Sequence, residues 1–159
     1  AFANDPGKVL KRLGEILGNQ LRGQFLTAAY LFIDSENHQA RYSAAGHPPL
    51  LYWDSTAQQM QFIESNGLFF GASKESDYPV RKIKYNSGDR FLLYTDGLTE
   101  AMNSASELFG DQQLSKVLKS NENAAAGELS TLLYTELQLW QNTSVSQQDD
   151  ITWIIIEIL

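Results

Sequence analysis

Three short segments of the chain hold residues whose types and spacing could do chemistry. In Gly88-Asp89-Arg90-Phe91-Leu92-Leu93-Tyr94-Thr95-Asp96-Gly97-Leu98-Thr99-Glu100, an apolar strand delivers Asp96 to its C-terminal end. Gly97 then lets the chain turn at once, which leaves a carboxylate on a rigid support with nothing crowding it. Asp-Gly is also a common turn signal, so this segment alone reads equally well as a plain turn. In Gln148-Asp149-Asp150-Ile151-Thr152, two adjacent acids stand directly before an apolar run. Like charges side by side repel, and at a core strand's mouth they cost energy unless a cation sits there. The bland alternative is a solvated loop end, where adjacent acids cost little. In Ala44-Ala45-Gly46-His47-Pro48-Pro49-Leu50, two prolines stiffen a loop and hold His47 in one place. That imidazole could donate a proton to a leaving group or a hydrogen bond to phosphate; alternatively it packs in the loop and bonds to backbone.

Composition narrows the chemistry. The chain of 159 residues has 12 basic and 19 acidic side chains, a formal net charge of −7, and no basic run. Nucleic-acid binding through a cationic face is therefore excluded as an expectation. An acidic chain that handles phosphate needs something positive, and a bound metal is the natural candidate. Carboxylate oxygens are hard ligands that select Mg²⁺ or Mn²⁺ rather than zinc. Cysteine is absent, which removes disulfide scaffolds and thiolate zinc sites and is compatible with a cytoplasmic location. No apolar run approaches a membrane span, so no membrane contact is expected from this segment, and no signal peptide is visible. The sequence opens Ala1-Phe2-Ala3 rather than with Met, which suggests that an upstream part is missing.

The elements that must position these residues follow from hydrophobic period. Asn4-Asp5-Pro6 starts a helix whose apolar face is Val9, Leu10, Leu13, Ile16, Leu17 and Leu21, with Gly23 ending it. The period then changes to two. Residues 25–33 read as a strand buried on both faces, with 38–44 as its return strand after a turn at Asp34-Ser35-Glu36-Asn37. Residues 50–54 and 59–64 form a second hairpin, and 78–85 with 90–95 a third around Asn86-Ser87-Gly88-Asp89. Asp111 is a candidate cap for a short helix carrying Leu114, Val117 and Leu118. Asn123 is a candidate cap for a longer one with Leu129, Leu132, Leu133, Leu137 and Trp140 on its face. A final strand covers 151–158. Strands with helices at either end indicate an α+β domain with antiparallel sheets.

The three segments, together with Glu107-Leu108-Phe109-Gly110 and an early Phe25-Leu26-Thr27-Ala28-Ala29-Tyr30, resemble the metal-dependent serine/threonine phosphatases, the PPM family. The bacterial branch is the one typified by sporulation protein IIE and the stress regulator RsbU. The resemblance runs from about Asp5 to the C-terminus, and the motifs come in the family's order. It implies an antiparallel β-sandwich flanked by helices, an αββα arrangement, with two Mn²⁺ or Mg²⁺ ions at one edge. By similarity Asp96 and Asp149 are metal ligands, Asp150 supports them from behind, and Gly97 turns the chain. His47 and Glu100 match the branch pattern without a firm role. Two such ions roughly 3.5–4 Å apart can bridge a water, lower its pKa and neutralise a phosphoryl group.

The sequence also departs from the pattern. The family's Gly-Asp and Asp-x-x-Gly-His-Gly motifs, which carry the remaining ligands, do not occur in these 159 residues. The expectation is a single partial domain, N-terminally truncated, that binds metal weakly and turns over little by itself. Uncovered strands would favour self-association as a homodimer. The implied substrate is phosphoserine or phosphothreonine in a partner signalling protein, typically an anti-anti-sigma factor. Two alternatives compete: a non-catalytic interaction module on a phosphatase fold, and a carboxylate-pair glycosidase, which nothing else in the chain favours.

Overall fold

The computed structural model describes residues 2–18, 20–64, 67–73, 76–142 and 149–159. The chain falls into two compact units, Ala1–Leu51 with Gln61–Ser87, and Tyr52–Met60 with Gly88–Leu159. Strands and helices alternate in blocks, and every described strand pairing between named strands is antiparallel. The fold class is α+β, as the hydrophobic period indicates.

In the first unit, helix α1 (Pro6–Gly18) begins on the proline. Asp5 caps it, its Oδ1 accepting from the Lys8 N–H at 3.2 Å. Strands β1 (Ala28–Asp34) and β2 (Gln39–Ala45) form a hairpin in the register Ala28↔Ala45 to Asp34↔Gln39. Asp34 closes its turn by accepting the Asn37 N–H at 3.1 Å. β5 (Arg81–Lys84) adds to the far side of β2, giving the order β1-β2-β5. A cluster of Leu10, Ala45, Phe70 and Tyr78 forms under α1. α1 carries glycine where packing is tightest: a Cβ on Gly14 would lie 3.2 Å from the Phe70 ring, and one on Gly7 would collide with the Tyr78 carbonyl.

The second sheet has the order β4-β3-β6-β7, from β3 (Leu50–Asp54), β4 (Gln59–Ile63), β6 (Arg90–Tyr94) and β7 (Trp153–Glu157). Asp54 ends β3 as Asp34 ends β1, its Oδ1 accepting from Thr56 and Ala57 N–H. β6 pairs with β7 in the register Arg90↔Glu157 to Tyr94↔Trp153. After β6 come α2 (Asp96–Thr99), α3 (Gly110–Ser120) and α4 (Ala126–Gln141). Phe91, Tyr94, Leu98, Phe109, Leu114, Leu133 and Leu137 are buried in this unit.

Four local expectations are corrected. β5 and β6 are not a hairpin: they lie in different sheets. The Gly88 N–H donates to the Ile158 carbonyl and the Ile158 N–H to the Asp89 carbonyl, so β7 takes the edge a hairpin partner would have used. Neither Asp111 nor Asn123 caps a helix. α3 starts at Gly110 with Asp111 inside its first turn, and α4 starts after Ala125. The Ala126 N–H is satisfied instead by Glu157 Oε2 of β7, at 3.1 Å. β1 is not buried on both faces: all its residues are half-buried, and Phe25 just before it is 69 % exposed. As the outermost strand of its sheet, it has one neighbouring strand among the described residues.

Candidate metal centre

Asp96 and Asp149 enter the second unit from opposite ends of the chain's last two sheet strands. β6 runs toward Asp96 and β7 runs away from Asp149, so antiparallel pairing brings both acids to the same end of the sheet. The pairing continues past the strands. The Thr95 N–H donates to the Thr152 carbonyl at 2.9 Å, and the Thr152 N–H donates to the Thr95 hydroxyl at 3.0 Å. That hydroxyl lies 3.2 Å from the Asp150 carbonyl. One threonine side chain therefore stitches the Asp96 segment to the Asp149-Asp150 segment. Sequence reasoning missed Thr95, because a threonine before an acid carries no signal until the partner strand is known.

Gly97 has a different job from the one expected. It sits in the first turn of α2 and has no positive φ. A Cβ placed on it would lie 2.6 Å from the Asp150 carbonyl oxygen. Glycine is needed here for close approach of two backbones, not for a left-handed turn. Asp150 meets the Asp96 segment through its main chain: its carbonyl abuts Gly97 and faces the Thr95 hydroxyl.

Each candidate ligand is oriented in the same way. Asp96 Oδ1 accepts from the Gly97 N–H at 3.0 Å, and Asp149 Oδ1 from the Asp150 N–H at 2.7 Å. Asp96, Asp149 and Asp150 are all exposed, so their carboxylates face solvent rather than the core. Hard oxygen donors on an open sheet end suit a divalent cation that keeps part of its water shell. They supply only part of a shell: among the described residues no group of three His, Cys, Asp or Glu side chains is assembled. Gln148, part of the same motif, lies outside the described residues.

His47 belongs to the first unit, between β2 and β3, and is half-buried. The loop around it is held firmly, as the two prolines indicate. The Gly46 N–H donates to the Gly67 carbonyl at 2.8 Å, and the Tyr42 hydroxyl donates to the Pro48 carbonyl at 3.1 Å. Gly46 adopts φ +63°, and a Cβ there would lie 2.7 Å from Phe69 Cβ. Burial pushes the Tyr42 phenol up to about 12, so it stays a neutral donor across the working pH range.

Comparison with known proteins gives the family and the fold. Residues 2–159 match the family described as Stage II sporulation protein E (SpoIIE). The chain belongs to the SpoIIE family. It is 27 % identical over 152 residues to phosphoserine phosphatase RsbU of Bacillus subtilis, covering 95 % of this chain and 44 % of RsbU. This SpoIIE-family chain therefore spans less than half the length of that relative. Among solved structures, the SiaA-PP2C domain of Pseudomonas aeruginosa superposes with TM-score 0.83 at 19 % identity, over 97 % of this chain and 61 % of that one. The manganese-presoaked phosphatase domain of SpoIIE from Bacillus subtilis gives TM-score 0.68 at 17 % identity, over 96 % and 64 %. The fold is thus that of the PP2C, or PPM, phosphatase domains, as the motif order implies. No helix among the described residues is long and apolar enough to cross a membrane.

Proposed function

We propose that this SpoIIE-family chain acts in a metal-dependent protein phosphatase domain that removes phosphate from phosphoserine or phosphothreonine in a partner signalling protein. The observation that supports the reading is the Thr95 stitch, which ties the Asp96 segment to Asp150 and Thr152, next to Asp149, in a chain whose relative RsbU is named a phosphoserine phosphatase. In this reading the complete site has further metal ligands besides Asp96 and Asp149. Mn²⁺ or Mg²⁺ is the cofactor, with two ions in the complete site. When bound, the cation neutralises phosphoryl charge and makes a water more acidic.

The chain's own residues have distinct tasks in this reading. Asp96 and Asp149 hold the cation through carboxylate oxygens that their following N–H groups orient. Thr95 and Gly97 fix the spacing of the two segments. His47, in its clamped loop, is the candidate proton donor to the leaving serine or threonine oxygen. The partner protein is an anti-anti-sigma factor by the resemblance to the RsbU branch.

The test is release of phosphate from a phosphoserine peptide by the intact protein, with Mn²⁺ and then with a chelator. Turnover should vanish on chelation and return with Mn²⁺. Asp96→Asn and Asp149→Asn should each cost more than the roughly 10–100-fold that loss of an outer supporting group costs a metal site. Full turnover without metal, or in either variant, would end the proposal.

A further inference from the structure

The segment that follows Asp96 is built more rigidly than a connection needs to be. It leaves the site through the Glu100 N–H, which donates to the Asp96 carbonyl at 2.8 Å. It rejoins the same strand end at Asp111, whose carboxylate accepts from the Tyr94 hydroxyl at 3.4 Å. Between these anchors Asn103 organises the loop. Its Oδ1 accepts from the Ala105 and Glu107 N–H groups, both at 2.9 Å, and its Nδ2 donates to Glu107 Oε2 at 2.8 Å. The backbone adds Asn103 N–H to Glu107 carbonyl at 3.0 Å and Phe109 N–H to Ala101 carbonyl at 2.8 Å. Ser106 takes φ +62°, a strained value for a non-glycine residue in a tight turn.

This small ladder pairs Met102 with Leu108. Bridge partners in an antiparallel pair project to the same side, so the two form one apolar surface. The residues on either side, Ala101 and Phe109, are buried at 6 % and 2 % exposure, while Leu108 is 50 % exposed. Leu108 therefore stands in solvent on a hydrogen-bonded loop while its neighbour Phe109 is buried. An isolated exposed leucine needs no explanation; one on a loop with these five internal hydrogen bonds, tied at both ends to the Asp96 strand end, does.

We infer that Leu108, backed by Met102, is a specificity-determining residue that contacts an apolar side chain flanking the phosphoserine or phosphothreonine of the substrate. The inference rests on the phosphatase reading, since it names which phosphorylated segments that site takes. The loop's charge disfavours an acidic flank: Glu107, hydrogen-bonded to Asn103, and Glu100, beside Asp96, are both exposed.

The test uses the intact protein with Mn²⁺ and two synthetic phosphoserine peptides that differ only in carrying leucine or serine beside the phosphoserine. The readout is the ratio of their kcat/KM values. The leucine peptide should be preferred by about tenfold, the low end for one apolar side chain in a pocket. Leu108→Ser should bring the ratio to within about twofold, and Leu108→Met should keep it. A variant that lowers both peptides in parallel with the ratio intact shows a merely structural leucine and overturns the inference, as does a wild type without preference. Hydrolysis of neither peptide by the wild type defeats the phosphatase reading itself, and the inference with it.

Discussion

β6 carries an acid at each end, and the two have opposite fates. Asp89, just before the strand, is fully buried. It accepts from the Tyr52 hydroxyl at 2.6 Å and from the Ser55 hydroxyl and N–H at 2.8 and 2.9 Å. Asp96, just after the strand, is exposed and accepts from its own neighbour's N–H. In sequence the pairs Gly88-Asp89 and Asp96-Gly97 look like mirror images. In the fold, one carboxylate spends its lone pairs on tying β3 to β6, and the other keeps oxygen turned to solvent. Burial together with saturation marks a structural acid; exposure on a stitched support marks a candidate ligand. Tyr52 records the first case: burial, and then the Asp89 carboxylate, push its phenol far above the ordinary value.

The comparison can be broken by substitution. Asp89→Ala should cost about 3 kcal/mol or more in urea unfolding, because it strands the Tyr52 and Ser55 donors in the core. Asp96→Ala should change stability by no more than about 0.5 kcal/mol. Equal effects at the two positions would erase the distinction. A sharper version targets the stitch. Thr95→Val keeps the shape and removes the hydroxyl that faces Asp150 and accepts from Thr152. Mn²⁺ affinity by titration calorimetry should fall about tenfold. Unchanged affinity would show that the Asp96 and Asp149 segments hold their spacing without the hydroxyl.

The smallest effect lies at the other end of the β6–β7 pair. Glu157 caps α4 through Ala126 and also meets Arg90 at 3.1 Å. The Ala126 N–H first, and Arg90 after it, hold its carboxyl below the ordinary value of 4.5. A depressed carboxyl adds stability that is complete above the ordinary value and is lost as pH falls through the lower folded one. Glu157→Gln should therefore cost roughly 0.5–1 kcal/mol near neutrality and make the acid limb of stability against pH shallower. An unaltered acid limb in thermal melts would contradict this assignment.

What the sequence made legible is local. The β1–β2 and β3–β4 hairpins were readable because alternation and an aspartate-led turn lie within a few residues of each other. The α1 start was readable from Asp5-Pro6 for the same reason. The failures are all non-local. β6 pairs with a strand that follows it by more than sixty residues, as Arg90↔Glu157 shows, so its supposed hairpin with β5 could not be rejected from sequence. α4 is capped from β7 rather than by Asn123. Apolar content overstated the burial of β1 and β7, neither of which has a fully buried residue, because content does not reveal that a strand stands last in its sheet. At the site, the residue types of Asp96 and Asp149 were visible, while Thr95 and the packing role of Gly97 needed the partner strand.

The account depends on Asp96 and Asp149 gripping the same cation or cation pair. Electron paramagnetic resonance of Mn²⁺ bound to the intact protein, compared among wild type, Asp96→Asn, Asp149→Asn and the double variant, tests this most directly. The account predicts that either single change removes nearly all of the bound signal and that the double change adds little. Losses that are independent and additive, or bound Mn²⁺ that persists in both single variants, would contradict it.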